Sequence, residues 1–155
     1  FMVGERVEHE LVLHWGMRMM HALQNSSTPT LTVCIRKAFG LAWQAMNGSL
    51  MPALGVYSWP GAEIGFMDPE VGVNVAFGSK LARIEEPEER ESERLALVQE
   101  VGESTNPYEA AGTMRIDEII DPGDTRSVLA NDLEMLAHRN VPPPEARPLS
   151  YWPTC

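Results

Sequence analysis

The sequence has few of the residue types that point to an extracellular, metal-binding or membrane protein. Only two of its 155 residues are cysteines, Cys34 in an apolar segment and Cys155 at the last position. We therefore expect neither a disulfide framework nor a cysteine metal site. No apolar run is long enough to span a membrane, and nothing resembles a signal peptide. These absences favour a reducing, cytoplasmic setting and no membrane partner.

Positive charge is also scarce. The chain has 12 Lys and Arg against 22 Asp and Glu, a net charge of −10. Residues 1–60 contain four basic and three acidic residues, a net of +1, so the remainder carries −11. Because nucleic-acid binding depends on a basic surface, this balance argues against a nucleic-acid partner.

The histidines do not form a recognisable metal motif. His9 and His14 flank a glutamate, as in a zinc-protease helix, but that chemistry needs imidazoles four residues apart on one face. Here they are five residues apart, which turns them about 140° from one another on an α-helix. His14 and His21 share a face but lie two turns apart. We expect no metal ion.

Residues 30–46 are the most informative segment. The β-branched run at 32–35 predicts a buried strand, Gly40 allows a sharp turn, and residues 41–46 are good helix formers. A strand, a glycine turn and a helix start together leave unpaired backbone N–H groups, which suit a negatively charged oxygen. Many α/β proteins have such junctions, however, and most of these bind nothing.

Helices and strands alternate along the whole chain, which indicates an α/β fold. Strands are also predicted near residues 55–57, 62–67 and 116–120, and helices at 5–25, 71–77, 95–102, after 106–107 and after 121–124. The helix at 71–77 follows a start signal, an N-cap at Asp68 and a proline at Pro69. It is nearly all apolar and is expected to be buried on most sides. The last helix is expected to expose Asp132. About four strands are few for a free-standing sheet, so the chain is expected to be part of a larger unit.

Four collinear segments resemble the carboxyltransferase subunits of biotin-dependent acyl-CoA carboxylases. The family has a run of the type P-x-(I/L)-T-V-V-x-R-K-(A/G)-Y-G, together with W-P-T-A-E-I-x-x-M, P-E-G-A-V-N-I and I-D-E-V-I-D-P-x-(D/E)-T-R. The matching segments here are PTLTVCIRKAFGLAWQAM at 29–46, WPGAEIGFM at 59–67, PEVGVNV at 69–75 and IDEIIDPGDTR at 116–126. Asp68 and Val71 depart from the pattern, because relatives have glycines on either side of P-E.

The resemblance implies an α/β, crotonase-like ββα superhelix, of which this chain is a partial domain. Residues 1–140 would be the latter part of the C-terminal carboxyltransferase domain, and 141–155 a proline-rich C-terminal arm. Because the sequence starts abruptly and matches only this part, we expect a fragment that is inactive alone. The N-terminal carboxyltransferase domain, which binds the acyl-CoA in the family, has no counterpart here.

The resemblance also implies a reaction, the transfer of CO2 from carboxybiotin to the α-carbon of an acyl-CoA. The backbone amides of Leu41 and Ala42 would hold the ureido oxygen of biotin as it gains negative charge. Phe39 and Gly40 would complete the cofactor site, and Gln44 would help to select the acyl chain. No side-chain base is required, since the freed biotin nitrogen can take the α-proton.

Several partners and alternatives follow from the same resemblance. The expected partners are the N-terminal carboxyltransferase domain or chain, biotin carboxylase, the biotin carboxyl carrier and further copies in a homo-oligomer, in a role in fatty acid metabolism. One alternative is a non-catalytic or partial subunit that acts in assembly or carrier binding. Another is a decarboxylase that uses the same half-reaction in reverse.

Overall fold

The computed structural model describes residues 4–51 and 53–137, so the predicted arm at 141–155 lies outside the described residues. The helices are α1 Glu5–His9, α2 Val12–Gln24, α3 Gly40–Ala45, α4 Pro69–Leu81, α5 Pro87–Glu103, α6 Pro107–Gly112 and α7 Thr125–Ala137, with a 3₁₀ turn at Pro122–Asp124. The strands are β1 Leu31–Cys34, β2 Lys37–Phe39, β3 Gly55–Ser58, β4 Glu63–Gly65 and β5 Glu118–Ile119. None of the helices in this part of the chain is long and apolar enough to cross a bilayer.

The strands repeat a ββα unit that stacks on itself. The first unit is β1, β2 and α3, and the second is β3, β4 and α4. β1 pairs in parallel with β3, and β2 pairs in parallel with β4, in two separate sheets. β5 adds in parallel to β3 and begins a third layer. This stacking is a ββα superhelix and confirms the predicted α/β class.

Two apolar clusters hold the repeat together. The first lies between the two sheets and the helices beside them, and its buried members are Cys34, Ala38, Trp43, Val56, Ala62, Ile64, Ala110 and Ile116. The second joins α4 to α5 through Val73, Leu81 and Leu97. β3 is buried along its whole length, which fits its central place between β1 and β5. The stack therefore has its core along the strands and a satellite core under α5.

The structure corrects two predictions for the N-terminal half. The helix predicted for 5–25 is two helices, because Leu11 adopts a left-handed conformation with φ 63°. No glycine or proline marks that break in the sequence. The second correction is β2, because the sequence pattern predicted no separate strand between the strand at 32–35 and the turn at Gly40. Its three residues become a strand only because β4 lies beside them.

The surroundings of two helices differ from the predictions: α4 is less buried than expected, and Asp132 of α7 has a hydrogen-bond partner instead of facing only solvent. α4 buries only the side that packs on α5, and Val75 remains 73% exposed. The prediction that this helix is buried on most sides is therefore wrong for the chain by itself. Asp132 of α7 does not simply face solvent, because its carboxylate accepts a hydrogen bond from the Tyr57 hydroxyl. Burial is the main cause that raises the pKa of Tyr57 far above its usual value, and the Asp132 bond adds to it.

Candidate functional site

Two helices begin at the same edge of the smaller sheet. β2 runs directly into α3 at Gly40, and β4 leads shortly into α4 at Pro69. Because β2 and β4 are parallel neighbours with Phe39 opposite Gly65, both helix N-termini lie at the carboxyl ends of the strands. Gly40 has a φ of +57°, and a Cβ here would lie 3.0 Å from the Phe66 carbonyl oxygen. A glycine is needed at this position both for its conformation and for the close approach.

The two predicted amides belong to the first turn of α3. Helix geometry leaves the N–H groups of Leu41 and Ala42 without acceptors inside the helix, and none of the described side chains caps this end. Within residues 4–51 and 53–137, no carbonyl outside the helix accepts from either N–H. Both groups are therefore available to donate to a ligand.

An apolar cavity of about 460 Å³ lies at this end of α3. All four residues predicted to contact the cofactor line it: Phe39, Gly40, Leu41 and Ala42. The rest of the lining comes from α1, α2, the connection between β4 and α4, and the start of α4, and comprises Glu8, Val12, Leu13, Phe66, Met67, Asp68 and Val71. A second cavity of about 450 Å³ shares Phe39 and Ala42 and extends to Lys37. The structure thus brings the predicted site residues together beside a partly open, mainly apolar cavity.

The N-terminus of α4 is closed by its own cap. Asp68 accepts a hydrogen bond from the Glu70 N–H at 3.0 Å and forms an ion pair with Lys37 at 2.8 Å. The bond to Lys37 holds the pKa of Asp68 below its usual value, and the same bond raises the pKa of Lys37. The acid and the base therefore neutralise one another at the cavity edge. Of these two helix N-termini, that of α3 is the one with backbone N–H groups available to a ligand.

Gln44 lies near the C-terminal end of α3. Its carboxamide oxygen accepts from the Leu50 N–H at 2.9 Å, and its nitrogen donates to the Ser49 hydroxyl at 3.4 Å. Gln44 does not line either cavity. Its contacts close the loop after the helix, and its role in substrate selection stays a prediction.

The chemistry offered by the site is backbone hydrogen bonding in apolar surroundings. Cys34 lines the second cavity, but burial raises the pKa of its thiol to about 11, so it is not a thiolate at neutral pH. In the part of the chain that the structure describes, no group of three histidine, cysteine or acidic side chains could hold a metal ion. Fixed N–H donors in a site that excludes water can stabilise developing negative charge without reorganising.

Sequence reasoning missed two features of this site. Phe66, 86% exposed, contributes to the cavity wall and meets Gly40 through its carbonyl oxygen. Lys37 and Asp68 are 31 positions apart, so no local pattern links them. Only the parallel pairing of β2 with β4 brings them together.

Comparisons with known proteins agree with this geometry. Residues 1–148 match the family described as "Carboxyl transferase domain". The chain is 34% identical over 147 residues to the carboxyltransferase subunit of propionyl-CoA carboxylase from Haloferax mediterranei, covering 95% of this chain and 28% of that protein. It is 34% identical over 137 residues to the methylmalonyl-CoA carboxyltransferase 12S subunit of Propionibacterium freudenreichii subsp. shermanii, covering 88% and 26% of the two chains.

A solved structure shows the same architecture. The chain superposes with a TM-score of 0.79 on transcarboxylase 12S, a hexamer crystallised with methylmalonyl-coenzyme A and methylmalonic acid. The two are 32% identical, and the match covers 95% of this chain and 28% of that one. The chain thus spans little more than a quarter of the length of these relatives, which confirms a partial crotonase-like domain. By its sequence and by its ββα superhelix, the chain belongs to the carboxyl transferase domain family.

Proposed function

We propose that this chain carries the biotin-side half of a carboxyltransferase site in a biotin-dependent acyl-CoA carboxylase. The reaction would move CO2 from carboxybiotin to the α-carbon of an acyl-CoA. The family membership and the names of the relatives support this class of reaction. The acyl-CoA side of the site would come from an N-terminal carboxyltransferase domain or chain, and biotin carboxylase and the carrier protein would complete the assembly.

The main observation behind the proposal is that two backbone N–H groups beside the apolar cavity have no acceptor within the described residues. Leu41 and Ala42 would donate to the ureido oxygen, and their donation becomes stronger as that oxygen gains negative charge. When bound, carboxybiotin supplies the carboxyl group that is transferred. Gly40 allows the tight turn from β2 into the first turn of α3, because any side chain there would press on the Phe66 carbonyl.

The walls of the cavity would keep water away from the donors. Phe39, Phe66 and Met67 present apolar groups to the space in which the ring would lie. Removing water strengthens the two N–H contacts, since less solvent screens them. The Lys37–Asp68 pair leaves little net charge at the edge. This chain would therefore bind and polarise the cofactor and would not supply a proton-transfer side chain.

Exposed apolar side chains support a role inside an assembly. Trp15 of α2 is 59% exposed, and Leu11, Leu13, Val71 and Val75 are also open to solvent. Large exposed apolar areas are typical of protein interfaces. We propose that the acyl-CoA-binding domain or further copies of the chain cover them, in a cytoplasmic homo-oligomer.

Removing one donor tests the proposal. Ala42→Pro deletes the N–H of Ala42 in the first helical turn, where proline is better tolerated than in the helix interior because it breaks no hydrogen bond within the helix. In the complete assembly, transfer of labelled carboxyl from the carboxylated carrier to propionyl-CoA should fall about 10²–10³-fold. The KM for the acyl-CoA should stay unchanged. Leu41→Ala is the matched control, because it shortens a side chain in the same turn and keeps both amides.

Sedimentation of each variant separates loss of chemistry from loss of assembly. An Ala42→Pro variant that assembles normally and transfers carboxyl at the wild-type rate would refute the assignment of the amide. A wild-type assembly that binds the carrier and shows no transfer to any acyl-CoA would support the alternative, a non-catalytic subunit for assembly or carrier binding.

A further inference from the structure

The C-terminus of α3 is closed by a backbone motif centred on Asn47. The Asn47 N–H donates to the Gln44 carbonyl, and the Gly48 N–H donates to the Trp43 carbonyl, each at 3.0 Å. Asn47 has a φ of +69°. This is a Schellman ending, in which a residue in the left-handed region follows the helix, most often glycine and sometimes asparagine. The backbone motif alone does not require a side chain at this position.

The Asn47 side chain nevertheless turns inward and ties the helix to β1. The residue is only 7% exposed. Its amide nitrogen donates to the Thr30 hydroxyl at 2.8 Å and to the Thr32 hydroxyl at 3.3 Å. The Thr32 hydroxyl in turn donates to the Asn47 carbonyl oxygen at 2.9 Å. Three hydrogen bonds thus fix the end of α3 against Thr32 of β1 and against Thr30 just before that strand, which precede Asn47 by 15 and 17 positions.

The inward amide carries a cost. Within the described residues, no group donates to the Asn47 side-chain oxygen, which is buried. A buried acceptor without a partner is unfavourable, and glycine would satisfy the left-handed backbone without it. The amide therefore has no evident use in ending the helix. Its use is the tie to β1.

We propose that Asn47 is a positioning residue for the site at the opposite end of α3. The helix has six residues, about 9 Å of rise, so a tilt at its C-terminus changes the direction of the first-turn amides. With Thr30 and Thr32, Asn47 holds the N–H groups of Leu41 and Ala42 toward the cavity. This inference rests on the proposed carboxyltransferase function.

Asn47→Gly tests the inference, since it keeps the favoured backbone and removes the amide. In the complete assembly the kcat for carboxyl transfer should fall about tenfold or more, while the KM for propionyl-CoA stays within about twofold. The control is Asn106→Ala. Asn106 accepts from the Glu109 N–H at 2.9 Å and caps α6, so its loss weakens the fold without touching α3.

Thr32 offers a second, conservative pair of variants. Thr32→Val replaces the hydroxyl by a methyl group of similar size, and Thr32→Ser retains the hydroxyl. The valine variant should show the same loss of kcat as Asn47→Gly, and the serine variant should recover most of it. Loss of kcat in both Thr32 variants, or an equal loss in Asn106→Ala, would overturn the positioning role.

Amide hydrogen exchange tests this inference separately from the proposed function, because the measurement does not depend on carboxyl transfer. Exchange at the hydrogen-bonded amides of Ala45 and Met46 should quicken about tenfold or more in Asn47→Gly and Thr32→Val, and should not change in Asn106→Ala. If the wild-type assembly transfers no carboxyl, the proposed function fails, and faster exchange still supports the tie. Unchanged exchange in Asn47→Gly would overturn the inference.

Discussion

The substitution Gly40→Ala measures how far the site depends on one backbone conformation. Gly40 has a φ of +57° at the junction of β2 and α3. An alanine in the left-handed region costs about 1–2 kcal/mol. Its Cβ would also lie 3.0 Å from the Phe66 carbonyl oxygen, a backbone atom that cannot swing aside as a flexible side chain can. The free energy of unfolding should therefore fall by at least about 1–2 kcal/mol.

Gly78→Ala provides a matched control within the chain. Gly78 is a helical residue of α4, and a Cβ at its position would meet no atom of residues 4–51 and 53–137 within 4 Å. Replacing a helical glycine by alanine gains about 0.5–1 kcal/mol. The two glycine-to-alanine variants should therefore differ by about 1.5–3 kcal/mol, with Gly40→Ala the less stable.

Urea unfolding of the intact chain, followed by tryptophan fluorescence, gives the two free energies. Equal m-values would show that the variants unfold to the same extent and can be compared. In the assembly, Gly40→Ala should also slow carboxyl transfer, because relieving the contact moves α3 away from Phe66. A Gly40→Ala chain as stable as Gly78→Ala would refute the argument, since neither strain nor crowding would then exist at the junction.

Three further predictions concern charge, assembly and the buried thiol. Lys37→Gln should cost about 0.5 kcal/mol near neutral pH, a small value because Lys37 is 46% exposed. Since the pKa of Asp68 is lowered in the fold, the stability from the pair is present above the ordinary Asp pKa of 3.8 and lost as the pH falls through the lower folded value. Urea titrations at about pH 7 and about pH 3 should show the difference between wild type and variant shrinking, and a constant difference would contradict the ion pair. Val75→Glu should shift the sedimentation of the assembly toward smaller species while leaving the circular dichroism unchanged, and an unaltered oligomer would remove Val75 from any interface. In a Cys155→Ser chain, Cys34 should react with a thiol reagent under mildly alkaline conditions only on unfolding, because burial raises its pKa to about 11, and rapid labelling of the native chain would disprove this.

Local sequence signals predicted the elements that have strong caps and turns. The Asp68-Pro69 start of α4 and the Asn106-Pro107 start of α6 are both confirmed, each with the side-chain cap in place. Short-range hydrogen bonds decide such helix starts, so the residues that form them are adjacent in sequence. The strand at 55–58 was likewise predictable from its apolar run.

Elements that depend on a distant neighbour could not be predicted in this way. β2 is three residues long and exists because β4 lies parallel to it. The sequence alone had no means of showing that Leu11 would interrupt the first helix, since no breaker residue is present. The burial of α4 was overestimated because its composition shows only how apolar the helix is. Which of its faces pack against another element is decided by the tertiary structure.

For the site, the motif at 29–46 predicted which residues contact the cofactor. It placed Gly40, Leu41 and Ala42 at a strand-to-helix junction, and its resemblance to a known family implied what they would bind. Only the tertiary structure shows that the two N–H groups have no acceptor within the described residues and that a cavity lies beside them. It also decided that Lys37 meets Asp68 and that Asn47 ties α3 to β1. A local sequence motif can show which N–H groups lie at a helix start. The direction and the surroundings of those groups depend on packing between strands that are far apart in the sequence.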